Sequence, residues 1–217
     1  MKFYFGDLLP YIGEMFAGLG LNVLLALVSM VIGALGGILL YLGKTGKHRT
    51  VSLVCRAYIE VMRNTPLLVQ LYLIYFGLAQ FGIDISALAS TLIALIFNNA
   101  AYTAEIFRAG FLSVPHGQIE AGQALGMHPA QVFTLVELKP ALKSAFPALI
   151  NQYIMLFLFS SVASIIALPE LTYVAMNTSS MTARTFEVYL VTGAMYYIAC
   201  VAMIAGLRLF EKKAFCW

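Results

Sequence analysis

Long apolar segments alternate with short polar connections along the whole chain. A segment of roughly 20 apolar residues is needed to cross the hydrocarbon of a bilayer as a helix. Helices are expected because each backbone polar group must then be satisfied within its own segment, and continuous apolar runs argue against a β-barrel. The pattern predicts an all-α membrane protein, one domain over residues 1–217, with five transmembrane helices at about 18–42, 66–81, 86–110, 145–168 and 188–209.

A polar region interrupts this pattern between the third and fourth predicted spans. In a loop of about residues 112–143, polar and apolar side chains alternate in a way that predicts two short amphipathic helices. Gly126 is expected to end the first helix in the left-handed conformation, and Pro129 to begin the second. Residues 51–64 predict a further amphipathic helix lying at the inner interface, before Pro66 begins the second span.

Composition agrees with this assignment and adds an orientation. The chain is 61% hydrophobic and 11% charged, whereas a soluble domain carries about 25% charged residues. If five spans alternate, all but two of the 13 Lys and Arg fall on one side, and only Lys2 and Arg184 fall on the other. Because basic residues stay in the cytosol, the N-terminus is predicted outside and the C-terminus in the cytosol. The net charge of +3 follows from this asymmetry and does not suggest nucleic-acid binding.

Polar residues within the predicted spans are the candidates for a translocation path, because polar groups in hydrocarbon are costly. In the third span, Asn98, Tyr102 and Glu105 share one helix face, with Asn98 near the middle of the bilayer. The alternative is structural: Asn98 would bond between helices, and Glu105 would pair with Arg108 three residues later.

Further path candidates lie in the second and fourth spans. Gln70 is the candidate in the second span, and Ser160, Ser161 and Ser164 occupy neighbouring positions in the fourth. A serine in a membrane helix often bonds its own backbone or permits close packing, so packing is the alternative for each of them. In the first span, the spacing of Gly33 and Gly37 predicts a close approach between helices, within this subunit rather than at a dimer seam.

No residue pattern predicts an enzyme or a metal site. The three histidines lie in predicted cytosolic loops without metal-ligand spacing, and neither a GxSxG nor an HExxH motif is present. A secondary transporter would usually show inverted repeats and charges within the membrane. Secondary transport nevertheless stays one alternative function, and a structural membrane subunit without its own path is another.

Three segments in order resemble a known family: residues 62–70 (MRNTPLLVQ), 101–110 (AYTAEIFRAG) and 115–126 (PHGQIEAGQALG). Over its full length the chain resembles the permease subunit of bacterial ATP-binding-cassette importers for polar amino acids, the histidine, glutamine and arginine permease-like group. The resemblance implies a type I ABC importer permease, multi-pass in the bacterial cytoplasmic (inner) membrane. It also implies alternating access for a polar amino acid or derivative.

The same resemblance implies the partners. These are a second permease subunit, with a paralogue favoured over an identical copy, two cytosolic ATPase subunits that bind ATP and Mg, and an external or periplasmic substrate-binding protein. This chain would hold no cofactor of its own. By position, Glu120, Ala121, Gly122 and Gly126 would belong to the coupling helix that docks in a groove of the ATPase.

The chain departs from the family pattern at two places. The coupling motif normally closes with leucine-proline, whereas here Leu138 is followed by Lys139 and the proline is displaced to Pro140. Related permeases often carry lysine and an acidic residue or asparagine in the fourth span, where this chain has Leu158 and Phe159. We therefore expect the partner permease to provide the main charged contacts to substrate.

Overall fold

The computed structural model describes residues 4–215, so that Lys2, which entered the orientation argument, and Cys216 lie outside the described part. Within those residues all regular secondary structure is helical, with turns and short extended stretches between the helices. In chain order the α-helices are α1 (Ile12–Thr45), α2 (Arg49–Asn64), α3 (Leu67–Tyr72), α4 (Ala87–Leu112), α5 (His116–Ala124), α6 (Pro129–Gln131), α7 (Leu138–Phe159), α8 (Leu171–Thr182) and α9 (Thr185–Ala214).

Four helical segments of the described chain are long and apolar enough to cross a membrane: Gly6–Thr45, Ala87–Leu112, Pro129–Ile166 and Thr185–Ala214. The predicted second span is a shorter apolar helix, Leu67–Gly77, whose last five residues form a π-helix. At 1.5 Å per residue it extends about 17 Å, well short of the roughly 30 Å hydrocarbon core. The all-helical architecture agrees with the sequence, while the count of five spans and the orientation stay predictions.

A break in the helical structure separates the second segment from the helix before it. α2 ends at Asn64, and Thr65 and Pro66 both adopt extended backbone conformations before α3 begins at Leu67. Proline disfavours a helical conformation in the residue before it and cannot donate a backbone hydrogen bond. The predicted amphipathic helix at residues 51–64 is therefore confirmed as α2, but it is separate from the apolar helix that follows.

Helices α1 and α4 pack closely at two glycines. A Cβ on Gly33 would lie 2.6 Å from Asn99 Nδ2, and one on Gly37 would lie 2.7 Å from Thr103 Cβ and 3.0 Å from the Ala100 carbonyl oxygen. Both glycines thus face another helix of the same chain, in agreement with the predicted packing within this subunit. Small residues allow membrane helices to approach this closely, where dispersion contacts provide the attraction.

Helix α7 packs against α1, α4 and α9. Leu156 joins Leu25 of α1 and Leu95 of α4 in one buried apolar cluster. On the side towards α9, Tyr153 belongs to a second cluster against which Leu207 packs. Contacts with α1 and α4 on one side and with α9 on the other hold α7 between them.

The polar region after α4 forms one short helix and then a much longer one. α5 ends as predicted at Gly126, whose φ of +75° is accessible to glycine at little cost. Pro129 begins a helix that runs without a break to Ile166, so the prediction of a second, separate short helix is wrong. Residues Val132–Glu137 form a π-helix, and the Leu138 N–H donates to the Phe133 carbonyl. This wider turn lets the helix continue through Pro140, because π turns can accommodate a missing donor.

Replacing Gly37 by alanine should destabilise the bundle, because the added methyl group meets the Ala100 backbone, which cannot move aside. Overpacking of this kind costs about 1–3 kcal/mol. The matched control is Gly20→Ala in the same helix, where a Cβ meets nothing within 4 Å. Thermal unfolding in detergent should show a lower midpoint for Gly37→Ala alone, and equal midpoints for the two variants would contradict the packing described.

Candidate functional site

The break between α2 and α3 is held by two buried amide side chains. Gln70 Nε2 lies 2.8 Å from Thr65 Oγ1 and 2.9 Å from the Met62 carbonyl oxygen. Asn98 Nδ2 on α4 donates to Gln70 Oε1 at 3.2 Å. The last carbonyls of a helix have no partner within that helix, and these amides provide one. The structure thus brings Gln70 and Asn98 together. For Asn98, this is the hydrogen bonding between helices that we gave as the alternative to lining a translocation path.

One turn further along α4, Tyr102 contacts the end of α2. Its hydroxyl lies 3.3 Å from the Arg63 carbonyl oxygen, and the Arg63 guanidinium lies 5.4 Å from the centre of its ring. Two open cavities adjoin this pair, one of about 450 Å³ that Asn98 also lines and one of about 360 Å³ that Glu105 also lines. Asn98, Tyr102 and Glu105 therefore share a cavity-lined face of α4, as their spacing predicts.

Three cations converge on the carboxylate of Glu105, whose side chain is 13% exposed. Arg108 Nε lies 2.8 Å from it, Arg63 Nη1 lies 3.8 Å from it, and Lys44 forms an ion pair with its other oxygen. The predicted pair with Arg108 is present. Lys44 and Arg63 are additional, and each lies in the last turn of its helix, where a cation also interacts favourably with the helix dipole. The cluster ties α1 and α2 to α4 and leaves an excess of positive charge.

The three serines do not form one polar surface. Residues Ser160–Ile166 form a 3-10 helix, in which residues three apart share a face, so Ser161 and Ser164 lie together and Ser160 lies elsewhere. Ser160 is buried and accepts a hydrogen bond from Asn22 Nδ2 at 2.7 Å, while Ser161 donates to the Leu158 carbonyl at 2.7 Å. The larger cavity is lined by Phe159 and Val162 of this region.

A buried polar cluster at the start of α8 was not predicted. The Glu170 carboxylate accepts hydrogen bonds from the backbone N–H groups of Thr172 and Tyr173 at 2.9 Å, and from Asn22 Nδ2 and Tyr196 Oη at 3.0 Å. Burial raises the pKa of Glu170, while these hydrogen bonds act in the opposite direction. Two features of the sequence could have indicated this cluster: an asparagine inside the first span and an acidic residue just before a helix. The cluster joins α1, α8 and α9.

Four residues were predicted to couple to an ATPase, and they lie on or just after α5. Glu120 is exposed, with Oε1 3.1 Å from His116 Nδ1, and Ala121 is also exposed. Gly122 is buried, and a Cβ there would lie 3.4 Å from Val132 Cγ2. α5 therefore rests through Gly122 on the helix that leads into α7 and presents its other side outwards.

The exposed side of α5 carries an apolar residue at its end. Leu125 is 82% exposed, next to the turn at Gly126. Within residues 4–215, no three His, Cys, Asp or Glu side chains converge in a way that could hold a metal ion.

The family described as "Binding-protein-dependent transport system inner membrane component" matches residues 29–215. The chain belongs to this family. It is a multi-pass protein of the bacterial inner membrane and a permease subunit of an ABC importer.

Named relatives of this permease span most of its length. It is 38% identical over 192 residues to the octopine transport system permease protein OccM of Rhizobium radiobacter, covering 84% of this chain and 78% of the relative. It is 32% identical over 214 residues to the arginine transport system permease protein ArtQ of Bacillus subtilis (strain 168), covering 98% of each.

A solved structure confirms the fold of this permease. It is described as an amino acid ABC transporter with histidines, and it matches with a TM-score of 0.92 and 38% identity, covering 98% of this chain and 100% of that chain. The predicted all-helical fold of a type I importer permease is thus confirmed.

Replacing Glu105 by glutamine should destabilise this permease, because three cations would then lose their shared anion. The cluster is partly exposed, so we expect a cost of about 1–2 kcal/mol, below that of breaking a fully buried pair. Glu60→Gln on the exposed surface of α2 removes the same charge and should change the free energy of unfolding by less than about 0.5 kcal/mol. Thermal unfolding of both variants measures the difference, and an unshifted midpoint for Glu105→Gln would count against the cluster.

Proposed function

We propose that this permease forms half of the translocation path of an ATP-driven importer for a polar amino acid or an amino-acid derivative. Its relatives are named for octopine and arginine transport, which supports solutes of this class. The observation that carries the proposal is the cavity of about 450 Å³ beside the middle of α4, into which Asn98 and Tyr102 face. Polar side chains within a membrane-spanning helix are costly, so two that line an open cavity favour a path-lining role in addition to their contacts within the protein.

Within this path we assign different roles to the candidate residues. Asn98 and Tyr102 line the cavity and contact solute, while Gln70 holds the Asn98 amide in place through its hydrogen bond. Glu105 organises the cations at the adjoining cavity. Ser160, Ser161 and Ser164 were candidates too, and the hydrogen bonds of Ser160 and Ser161 within the protein support a packing role near the path.

We assign ATP binding and hydrolysis to two separate ATPase subunits, with this permease contributing no cofactor or metal of its own. Glu120, Ala121, Gly122 and Gly126 form the docking region. Because Gly122 rests on the helix that continues through α7, a displacement of α5 moves α7 as a rigid body. α7 carries Phe159, so the same displacement reshapes the wall of the cavity.

The transport cycle follows from this connection. A loaded binding protein docks on the outer side, ATP draws the two ATPase subunits together, and their motion reaches the spans through α5. The path then opens outwards to receive solute, and hydrolysis resets it. Rigid packed elements transmit such movements because they switch between discrete arrangements.

The second permease subunit is proposed to be a paralogue that provides the charged solute contacts. In this chain the fourth-span positions that carry charge in related permeases are Leu158 and Phe159, and Phe159 is an apolar residue in the cavity wall. Neutralising the equivalent charges of the paralogue should therefore weaken equilibrium binding of solute by the importer at least tenfold. Phe159→Ala in this chain is the comparison and should change binding less. Undiminished binding to the importer with the altered paralogue would contradict this division of roles.

Replacing Gly126 by valine should weaken docking of the ATPase while leaving membrane insertion intact. No atom obstructs a side chain there, but φ is +75°, so a β-branched residue forces the turn out of its left-handed conformation. Gly117→Val is the matched control, because Gly117 also has open space around it and lies within α5. We expect a severalfold loss of solute-stimulated ATPase activity in the reconstituted importer for Gly126→Val only. Unchanged stimulation would refute the assignment of the docking region.

A further inference from the structure

Helix α9 presents an apolar face that the described chain leaves uncovered. Only 11% of the most hydrophobic 18-residue stretch of α9 is buried within the protein, compared with 56% for the corresponding stretch of α4. Leu190, Tyr197 and Val201 are 53%, 71% and 47% exposed. They are seven and four residues apart, so they form one stripe along the helix.

The stripe leads to two basic residues. Val201, Arg208 and Lys212 lie seven and four residues apart and, with three further residues of α9, line an open groove of about 640 Å³. Within residues 4–215, neither Arg208 nor Lys212 has an ion-pair partner. The same turn also contains Glu211, which is half-buried and does not line the groove, and Lys213, which is exposed outside it. The groove therefore combines apolar walls with two unneutralised cations at one end.

The groove lies on the far side of α7 from the cavities. Phe146 of α7 stacks on Phe210 of α9 with ring centres 5.8 Å apart. Ser144 and Ala148, on the opposite side of α7, line the cavity of about 360 Å³. In the importer proposed above, the second permease subunit closes the cavities and therefore approaches from that side. The face of α9 with the groove is left towards lipid.

We propose that this groove binds an anionic phospholipid, with the phosphate group between Arg208 and Lys212 and one acyl chain along the stripe. The distance along the helix from Arg208 to Tyr197 is about 17 Å. That is about half of a hydrocarbon core of roughly 30 Å, so the part of the stripe from Val201 to Tyr197 matches one leaflet. Basic side chains at the end of a spanning helix lie at headgroup depth, where they attract anionic lipid.

Lipid selectivity of the complete importer tests this site. The importer is reconstituted with phosphatidylglycerol and phosphatidylcholine of identical acyl chains, and native mass spectrometry counts the lipid molecules retained per copy of this chain. The double variant Arg208→Gln with Lys212→Gln should lose about 30-fold of the preference for phosphatidylglycerol, because each of the two basic residues that contact the phosphate group contributes roughly fivefold. Exchanging the two cations, Arg208→Lys with Lys212→Arg, should retain the preference.

Lys213→Gln is the matched control, since it removes the same charge from the same turn outside the groove, and it should change the preference by less than about twofold. An unaltered preference in the double glutamine variant would overturn the proposal, as would an equal loss in Lys213→Gln. A photoreactive benzophenone side chain at Val201 gives an independent result in the otherwise unchanged importer. Cross-linking to phospholipid supports the site, and cross-linking to another polypeptide overturns it.

Discussion

The hydrogen bonds at the break between α2 and α3 set the geometry on which the cavities depend. The last carbonyl groups of a helix have no partner within that helix, and leaving such a group unpaired costs free energy. Gln70 and Asn98 both donate to the Met62 carbonyl near the end of α2. Their contacts hold the end of α2 against α4 and thereby place Arg63 above Tyr102 and near Glu105. The polar face of α4, its ion cluster and the cavities beside it all follow from that arrangement.

In the proposed mechanism, the unbroken helix from Pro129 to Ile166 connects α5 to the cavity. A short helix joined to the membrane by a flexible loop could move without affecting the spans. Here α5 rests on Val132, and the same helix extends through the bundle to the cavity wall at Phe159. The π turn before Pro140 preserves this continuity, because it adjusts the hydrogen bonding where proline offers no donor. Pro140, the displaced proline of the family motif, thus lies within a continuous helix.

Much of the local structure could be predicted from residue types and spacing. Gly126 ends α5 with positive φ, Pro129 begins the next helix, and Glu105 pairs with Arg108, since all three depend on neighbours within one helical turn. The shorter second span could not be predicted from hydropathy, because an apolar run has the same composition whether it crosses the bilayer or stops early. The separation of Ser160 from Ser161 is likewise visible only in the structure, because the change from 3.6 to three residues per turn leaves no mark in composition.

Sequence alone determined that the chain is an all-helical membrane protein, where its long apolar segments lie, and that α4 bears a polar face. These properties depend on the cost of exposing backbone to lipid and on helical periodicity, and both act along the chain. Only the tertiary structure decided which distant groups meet. Lys44 pairs with Glu105 across 61 residues, and Asn22 bonds Glu170 across 148. Such contacts depend on how whole helices pack, because packing brings together side chains that no local pattern relates.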